Sequence, residues 1–222
     1  MKDLLIKVKV RRFDQDQGYF WQSYNVDTGD EAATVLGVLQ IIYAEQDPGL
    51  SFSYGCRYKR CGLCGMIING VPGMACLVPA GAELTIEPLK NLPPVKDLVV
   101  DRASIQRLYA KHRLYTPGHP YTGFPEVRVP DNYKLLSRCI ECLCCLSYCR
   151  QMESDKNFGG PFLFVKLGQF YNNPKDDSLA RKTQARELGL DVCQDCRSCR
   201  CPNGIPIYRA AIEPMLSANN DL

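Results

Sequence analysis

The 222-residue sequence predicts an α+β protein, with a small mixed sheet in its first half and helices alone in its second. Three observations carry that prediction. Near the N-terminus apolar residues alternate with charged ones at the period of a half-buried strand. After Asp101 the strand signal disappears and helical periodicity takes over. Thirteen cysteines fall in three tight groups, which a packed core alone does not require.

The first strand is marked by Ile6, Val8 and Val10 alternating with Lys7, Lys9 and Arg11, so Arg11 and Arg12 read as solvated strand ends. Residues 19–26 are aromatic and β-branched enough to be its hairpin partner. Thr28 and Glu31 have capping-box spacing. They introduce a helix whose apolar face is Val35, Leu36, Leu39, Ile42 and Tyr43. Asp47-Pro48-Gly49 stops it. Met66, Ile67 and Ile68 followed by Asn69-Gly70 read as a strand entering a tight turn, and Leu84 and Ile86 mark a last strand. A small sheet crossed by one helix is a β-grasp pattern. The paired prolines within residues 89–95 end this unit, which gives domains 1–95 and 96–222. In the second domain, residues 101–112, 161–171, 177–188 and 206–216 read as helices separated by cysteine-bearing loops.

Hydrophobic residues make up 45% and charged residues 23%, a globular mix that excludes disorder. The longest apolar runs fall short of a membrane span, and MKDLLIKVKVRRF lacks the apolar core of a signal peptide. A cytoplasmic chain that reaches a membrane only through partner subunits is expected. The odd cysteine count in a long chain favours metal sites over disulfides. The formal charge of +3 assumes neutral thiols. Three clusters held by thiolates would move it to about −3, so nucleic-acid binding is not indicated.

The first group is Cys56-x4-Cys61-x2-Cys64 with Cys76 eleven residues on, the plant-type [2Fe–2S] spacing. Gly55, Gly62 and Gly65 would let the backbone approach the sulfurs and donate N–H bonds to them. Four thiolates also suit zinc, but the short steps within one glycine-rich loop point to iron–sulfur. The second group, Cys139-x2-Cys142-x2-Cys145-x3-Cys149, has the bacterial [4Fe–4S] spacing. The third is Cys193-x2-Cys196-x2-Cys199, then Cys201-Pro202. In two-cluster ferredoxins the last cysteine of each run ligates the other run's cluster. Cys139, Cys142 and Cys145 would then share a cluster with Cys201, and Cys149 would join Cys193, Cys196 and Cys199. Cys144 is left as a buried small residue. His112 and His119 read as surface or interdomain residues, and no catalytic constellation or GxGxxG nucleotide motif is present.

The stretches GCRYKRCGLCGMIINGVPGMAC, LKNLPPVKDLVVDR, CIECLCCLSYC, NFGGPF and CPNGIPI together resemble the iron–sulfur subunit of succinate dehydrogenase and fumarate reductase. That resemblance implies an N-terminal [2Fe–2S] β-grasp domain on Cys56, Cys61, Cys64 and Cys76, and a helical ferredoxin domain with a [4Fe–4S] cluster on Cys139, Cys142, Cys145 and Cys201. It also implies an FAD-bearing catalytic subunit docked near the [2Fe–2S] end and a quinone or other electron acceptor or donor. Three departures stand out. The family's third cluster is normally [3Fe–4S], with a non-cysteine residue where this chain has Cys196; here a third [4Fe–4S] cluster is expected, the other reading being an idle Cys196. Arg150 replaces a proline, and QMESDKNF replaces a tryptophan-bearing stretch that helps line the quinone site. Cys199 and Cys201 stand one residue apart where the family has three, a span of at most ~7 Å. The altered quinone stretch leaves open a membrane anchor or a cysteine-rich thiol/disulfide subunit as further partner, and a free-standing ferredoxin-like carrier is the remaining alternative.

Overall fold

The computed structural model describes residues 5–29, 33–116, 128–154 and 157–217; His119 and Glu31 lie outside them. The chain forms two compact units that do not follow a single cut. Met1–Arg102 takes in the later segment Ile140–Ser147, while Ala103–Cys139 joins Tyr148–Leu222.

In the first unit, β1 (Leu5–Asp14) pairs antiparallel with β2 (Gly18–Asp27), with Leu5 opposite Asp27 and Asp14 opposite Gly18. β3 (Gly65–Ile68) and β4 (Val71–Met74) form the expected hairpin. Its turn puts Asn69 and Gly70 at φ 48° and 77°, the left-handed pair that such a two-residue loop demands. β5 (Glu83–Glu87) lies parallel to β1 and closes the order β2-β1-β5-β3-β4. The period-two reading of β1 holds: Ile6, Val8 and Val10 are buried, as are Leu84, Ile86 and Met66 and, on α1 (Val35–Ile41), Val35, Leu36, Val38 and Leu39.

Four details differ from expectation. The helix is capped by Thr34, whose hydroxyl accepts from the Gly37 amide at 3.2 Å, and not by Thr28. The helix continues through a wider turn to Gln46, which buries Val38 and leaves Tyr43 half exposed. A further hairpin of β6 (Pro94–Lys96) and β7 (Val99–Val100) follows the expected last strand.

The fourth difference is Arg12. It is buried, not a solvated strand end. Its guanidinium donates to both oxygens of Asp97 at 2.8 and 3.0 Å, to Asp47 Oδ2 at 2.6 Å and to Gln22 Oε1 at 2.7 Å. Tyr24 donates to Asp47 at 2.7 Å, and the Ser51 amide donates to Asp97 at 2.8 Å. Four chain segments are joined around one cation. The Asp97 hydrogen bond raises the Arg12 pKa more than burial lowers it.

The second unit is helical, with α2 (Ala103–Lys111), α3 (Asp131–Leu136), α5 (Gln151–Ser154), α6 (Gly160–Tyr171) and α7 (Ser178–Glu187). The short α4 (Cys144–Tyr148) begins in the segment held by the first unit. A wide turn over Tyr208–Ile212 runs into α8 (Glu213–Leu216). The four expected helices are present, and α3, α4 and α5 are additional to them. α6 is the core element, buried from Gly160 to Gly168. A Cβ at Gly168 would stand 3.0 Å from the Ala211 Cβ, so glycine lets α6 approach the wide turn Tyr208–Ile212. Asp177 caps α7 through the Ala180 amide at 3.0 Å.

Candidate metal centres

The loop before β3 is shaped around one sulfur. The amides of Tyr58, Arg60 and Cys61 point at Cys56 Sγ from 3.2, 3.2 and 3.3 Å. That requires Arg57 and Lys59 at φ 54° and 56°, an uncommon conformation for side-chain-bearing residues. Successive amides turned inward in this way form a nest for an anion. They hold the Cys56 thiol down at about 7 although it is exposed. The hairpin explains the eleven-residue gap to Cys76. Cys64 precedes β3, Cys76 follows β4, and Gly65 pairs with Met74, so the two cysteines return to one end of the hairpin. Burial pushes Cys64 up to about 11, against the opposing Cys76 amide.

Within the same unit, Cys142, Cys144 and Cys145 are buried. Glu141 and Leu143 again take positive φ, 55° and 64°. Gly62 and Gly65 serve this segment more than they serve the sulfurs. A Cβ on Gly62 would lie 2.2 Å from the Ile140 carbonyl oxygen, and one on Gly65 would lie 2.6 Å from that of Cys142. Only hydrogen fits there. Cys144 is fully buried, its sulfur 3.6 Å from the Gly73 carbonyl oxygen. Its thiol is the main cause that draws Cys142 down to about 7, against the opposing effect of burial.

In the second unit Cys139 follows α3, its amide bonded to the Leu136 carbonyl at 3.1 Å. Asn203 donates to the Arg138 carbonyl at 2.5 Å, which brings the Cys201-Pro202 turn to the Cys139 stretch. Cys149, Cys193, Cys196 and Cys199 stand in one another's field. Burial first, then the charges of the other three, push Cys199 up to about 12. Burial, then Cys149 and Cys196, do the same to Cys193. Cys149 is raised by burial, against the amides of Met152 and Gln151. Cys196 goes the other way, lowered by the Ser198 hydroxyl 3.1 Å from its sulfur. His112 stands apart from these thiols in its surroundings: burial and then Lys111 lower its pKa.

Among the described residues no three His, Cys, Asp or Glu side chains close to single-ion distances. The fit to iron–sulfur clusters rests on the donor chemistry. All candidate ligands are thiols, and the first loop aims backbone N–H groups at sulfur, as such clusters require. What the sequence did not reveal is Arg102. Its Nη2 donates to the Glu141 carbonyl, and its electrostatic surroundings are Cys142, Glu141, Cys144 and Cys61.

Fold and thiol groups together fit an iron–sulfur protein with a ferredoxin-type mixed-sheet half and a helical half. Residues 7–107 match the family model for a 2Fe-2S iron-sulfur cluster binding domain. The chain is 31% identical over 220 residues to the fumarate reductase iron-sulfur subunit of Mycobacterium tuberculosis, covering 92% of itself and 88% of that protein. It is 31% identical over 218 residues to a fumarate reductase (CoM/CoB) subunit of Methanothermobacter marburgensis, covering 95% of itself but only 44% of that protein. A chain of the Mycobacterium smegmatis Sdh1 complex in the apo form superposes with a TM-score of 0.81 at 28% identity, over 96% of this chain and 94% of that one. The chain belongs to the succinate dehydrogenase/fumarate reductase iron–sulfur subunit family.

Proposed function

We propose that this chain is the electron-transfer subunit of a succinate dehydrogenase/fumarate reductase-type complex, carrying electrons between an FAD-bearing catalytic subunit and a quinone or other acceptor or donor. The observation that carries the reading is the amide nest on Cys56, which favours an anionic sulfur cluster at an exposed loop. A [2Fe–2S] cluster would be held by Cys56, Cys61, Cys64 and Cys76. A [4Fe–4S] cluster would be held by Cys139, Cys142, Cys145 and Cys201. A third cluster, [4Fe–4S] in preference to [3Fe–4S], would use Cys149, Cys193, Cys196 and Cys199. Bound clusters supply one-electron storage at potentials set by cluster type, charge and hydrogen bonding. The protein's own residues supply the thiolates, the amides that stabilise them and the burial that limits water. The basic loop Arg57, Tyr58, Lys59 and Arg60 is exposed throughout and would face the flavoprotein.

No described helix is long and apolar enough to cross a membrane, so the membrane, if used, would be reached through an anchor subunit. A second reading has a specific support. The relative from Methanothermobacter is named for CoM/CoB, and the thiol at Cys196 would lower the potential of the third cluster. Both favour a cysteine-rich thiol/disulfide partner in place of a quinone site.

Iron and acid-labile sulfide analysis of anaerobically purified protein tests the proposal, with about ten irons per chain expected. A value near two, or zinc in place of iron, overturns it. Identification of the copurifying subunits separates a membrane anchor from a cysteine-rich partner.

A further inference from the structure

Arg102 follows β7 and lies in the same compact unit as the Cys56–Cys64 loop and the segment Ile140–Ser147. It is half-buried, and its Nη2 donates to the Glu141 carbonyl, one residue before Cys142. Glu141 has φ 55°, a conformation that turns its carbonyl out of a regular path and needs an external hold. Cys61 is close by, because Gly62 sits against Ile140 and Cys142 with no room for a Cβ. Apart from the adjacent Glu141, the charges Arg102 feels are those of cysteines: Cys142, Cys144 and Cys61. Burial lowers its pKa below the ordinary guanidinium value, and these neighbours oppose that. A guanidinium remains charged at neutral pH.

We infer that Arg102 is a positioning residue for electron transfer, one side chain that fixes the Cys142 loop and sets a permanent positive charge in the field of ligand thiols from two different clusters, through Cys61 and Cys142. The inference rests on the ligand assignment proposed above. Reduction adds one negative charge to a cluster. A fixed cation nearby stabilises the reduced form more than the oxidised form, so it raises the midpoint potential of each cluster whose ligand it faces. One residue would thereby hold both potentials up together. A second consequence is geometric. Arg102 forks, one nitrogen engaged with the Glu141 carbonyl, whereas lysine would keep the charge without the fork.

The test is EPR-monitored potentiometric titration of the purified complex with Arg102, Arg102→Gln and Arg102→Lys, alongside iron and sulfide analysis. In Arg102→Gln both midpoints should fall. The reduced-to-oxidised ratio at fixed ambient potential should drop about tenfold, which for one electron is ~59 mV. Arg102→Lys should keep both midpoints near those of the parent protein. Unchanged midpoints in a fully loaded Arg102→Gln protein overturn the inference, as do equal falls in both variants. If Arg102→Gln does not load its clusters, Arg102→Lys decides: parent-like midpoints support the charge role and lowered midpoints refute it. A parent protein without [2Fe–2S] and [4Fe–4S] signals would instead sink the ligand assignment itself.

Discussion

Replacing Arg12 by methionine removes the cation at the centre of the first unit while keeping most of its stem volume. Asp97 then loses two hydrogen bonds, at 2.8 and 3.0 Å, and keeps only the Ser51 amide. Its side chain is 2% exposed, so water cannot take over. Asp47 loses its 2.6 Å partner as well. Breaking a buried ion pair by deleting one member costs about 3–5 kcal/mol, because the remaining charge stays buried and uncompensated. A domain of this size has about 5–15 kcal/mol in total. At about 4–8 °C per kcal/mol the melting temperature should fall by at least about 12 °C.

Thermal unfolding followed by circular dichroism measures that loss. Absorbance of the proposed [2Fe–2S] centre would report a second consequence, since Gly49 and Ser51, both bonded to this network, lead into the Cys56 loop. The informative control is Arg12→Met with Asp97→Asn, which removes the orphaned charge and should recover part of the loss. A single variant that loses less than about 1 kcal/mol, or a double variant no better than the single one, refutes the reasoning.

Other substitutions probe the thiol groups. If the proposed third cluster is [4Fe–4S], Cys196→Ser should convert it to [3Fe–4S], with a near-isotropic EPR signal in the oxidised protein; an unchanged spectrum means that Cys196 is idle. Gly62→Ala should cost about 2 kcal/mol or more and deplete the [2Fe–2S] centre, because its Cβ would meet the Ile140 oxygen at 2.2 Å at a φ of +68°. Gly70→Ala, also at positive φ but with open space around it, should cost only about 1 kcal/mol, and chemical denaturation of the pair compares them. In protein stripped of iron, Cys56 should alkylate with a midpoint near pH 7 while Cys193 and Cys199 stay protonated and inert until pH approaches 12. The sign follows from which form is stabilised: amide donors favour the Cys56 thiolate and burial favours the neutral thiols. Mass spectrometry of the alkylated peptides across pH checks it, and equal midpoints would contradict it.

Much of the first unit was legible because strand period and turn chemistry are local. Ile6, Val8 and Val10 face inward at a spacing of two, and Asn69-Gly70 supplies the paired positive φ that a two-residue hairpin accepts readily. The same parity places Arg12 inward. What the sequence conceals is that its partners Asp47 and Asp97 come from 35 and 85 residues away, without which an inward arginine looks unreasonable. Tyr43 failed as a core residue because the helix widens after Ile41, and no residue type announces a wide turn. The helices α3, α4 and α5 span only four to six residues, too short for a period to register. At the metal centres the spacing announced the cysteines but not their surroundings. A glycine beside a cysteine reads as room for sulfur, whereas Gly62 and Gly65 make room for the distant backbone of Ile140 and Cys142.

Two of the thiol groups differ in what sets the charge state of their sulfurs. A loop has amides to spare, so the Cys56 group stabilises its leading thiolate with backbone N–H bonds and needs no burial to do so. In the second unit burial dominates at Cys193 and Cys199 and opposes ionisation, and at Cys149 it outweighs the amides of Met152 and Gln151. There Cys196 is the exception. Its pKa is lowered by the Ser198 hydroxyl and amide, and it is the one member of the four shifted in that direction. A ligand that ionises early can capture iron, whose charge then draws protons from Cys149, Cys193 and Cys199. An idle residue in a Cys193-x5-Cys199 segment would have no need of a hydroxyl and an amide that lower its pKa. The polarity of its surroundings therefore supports Cys196 as a fourth ligand independently of its spacing.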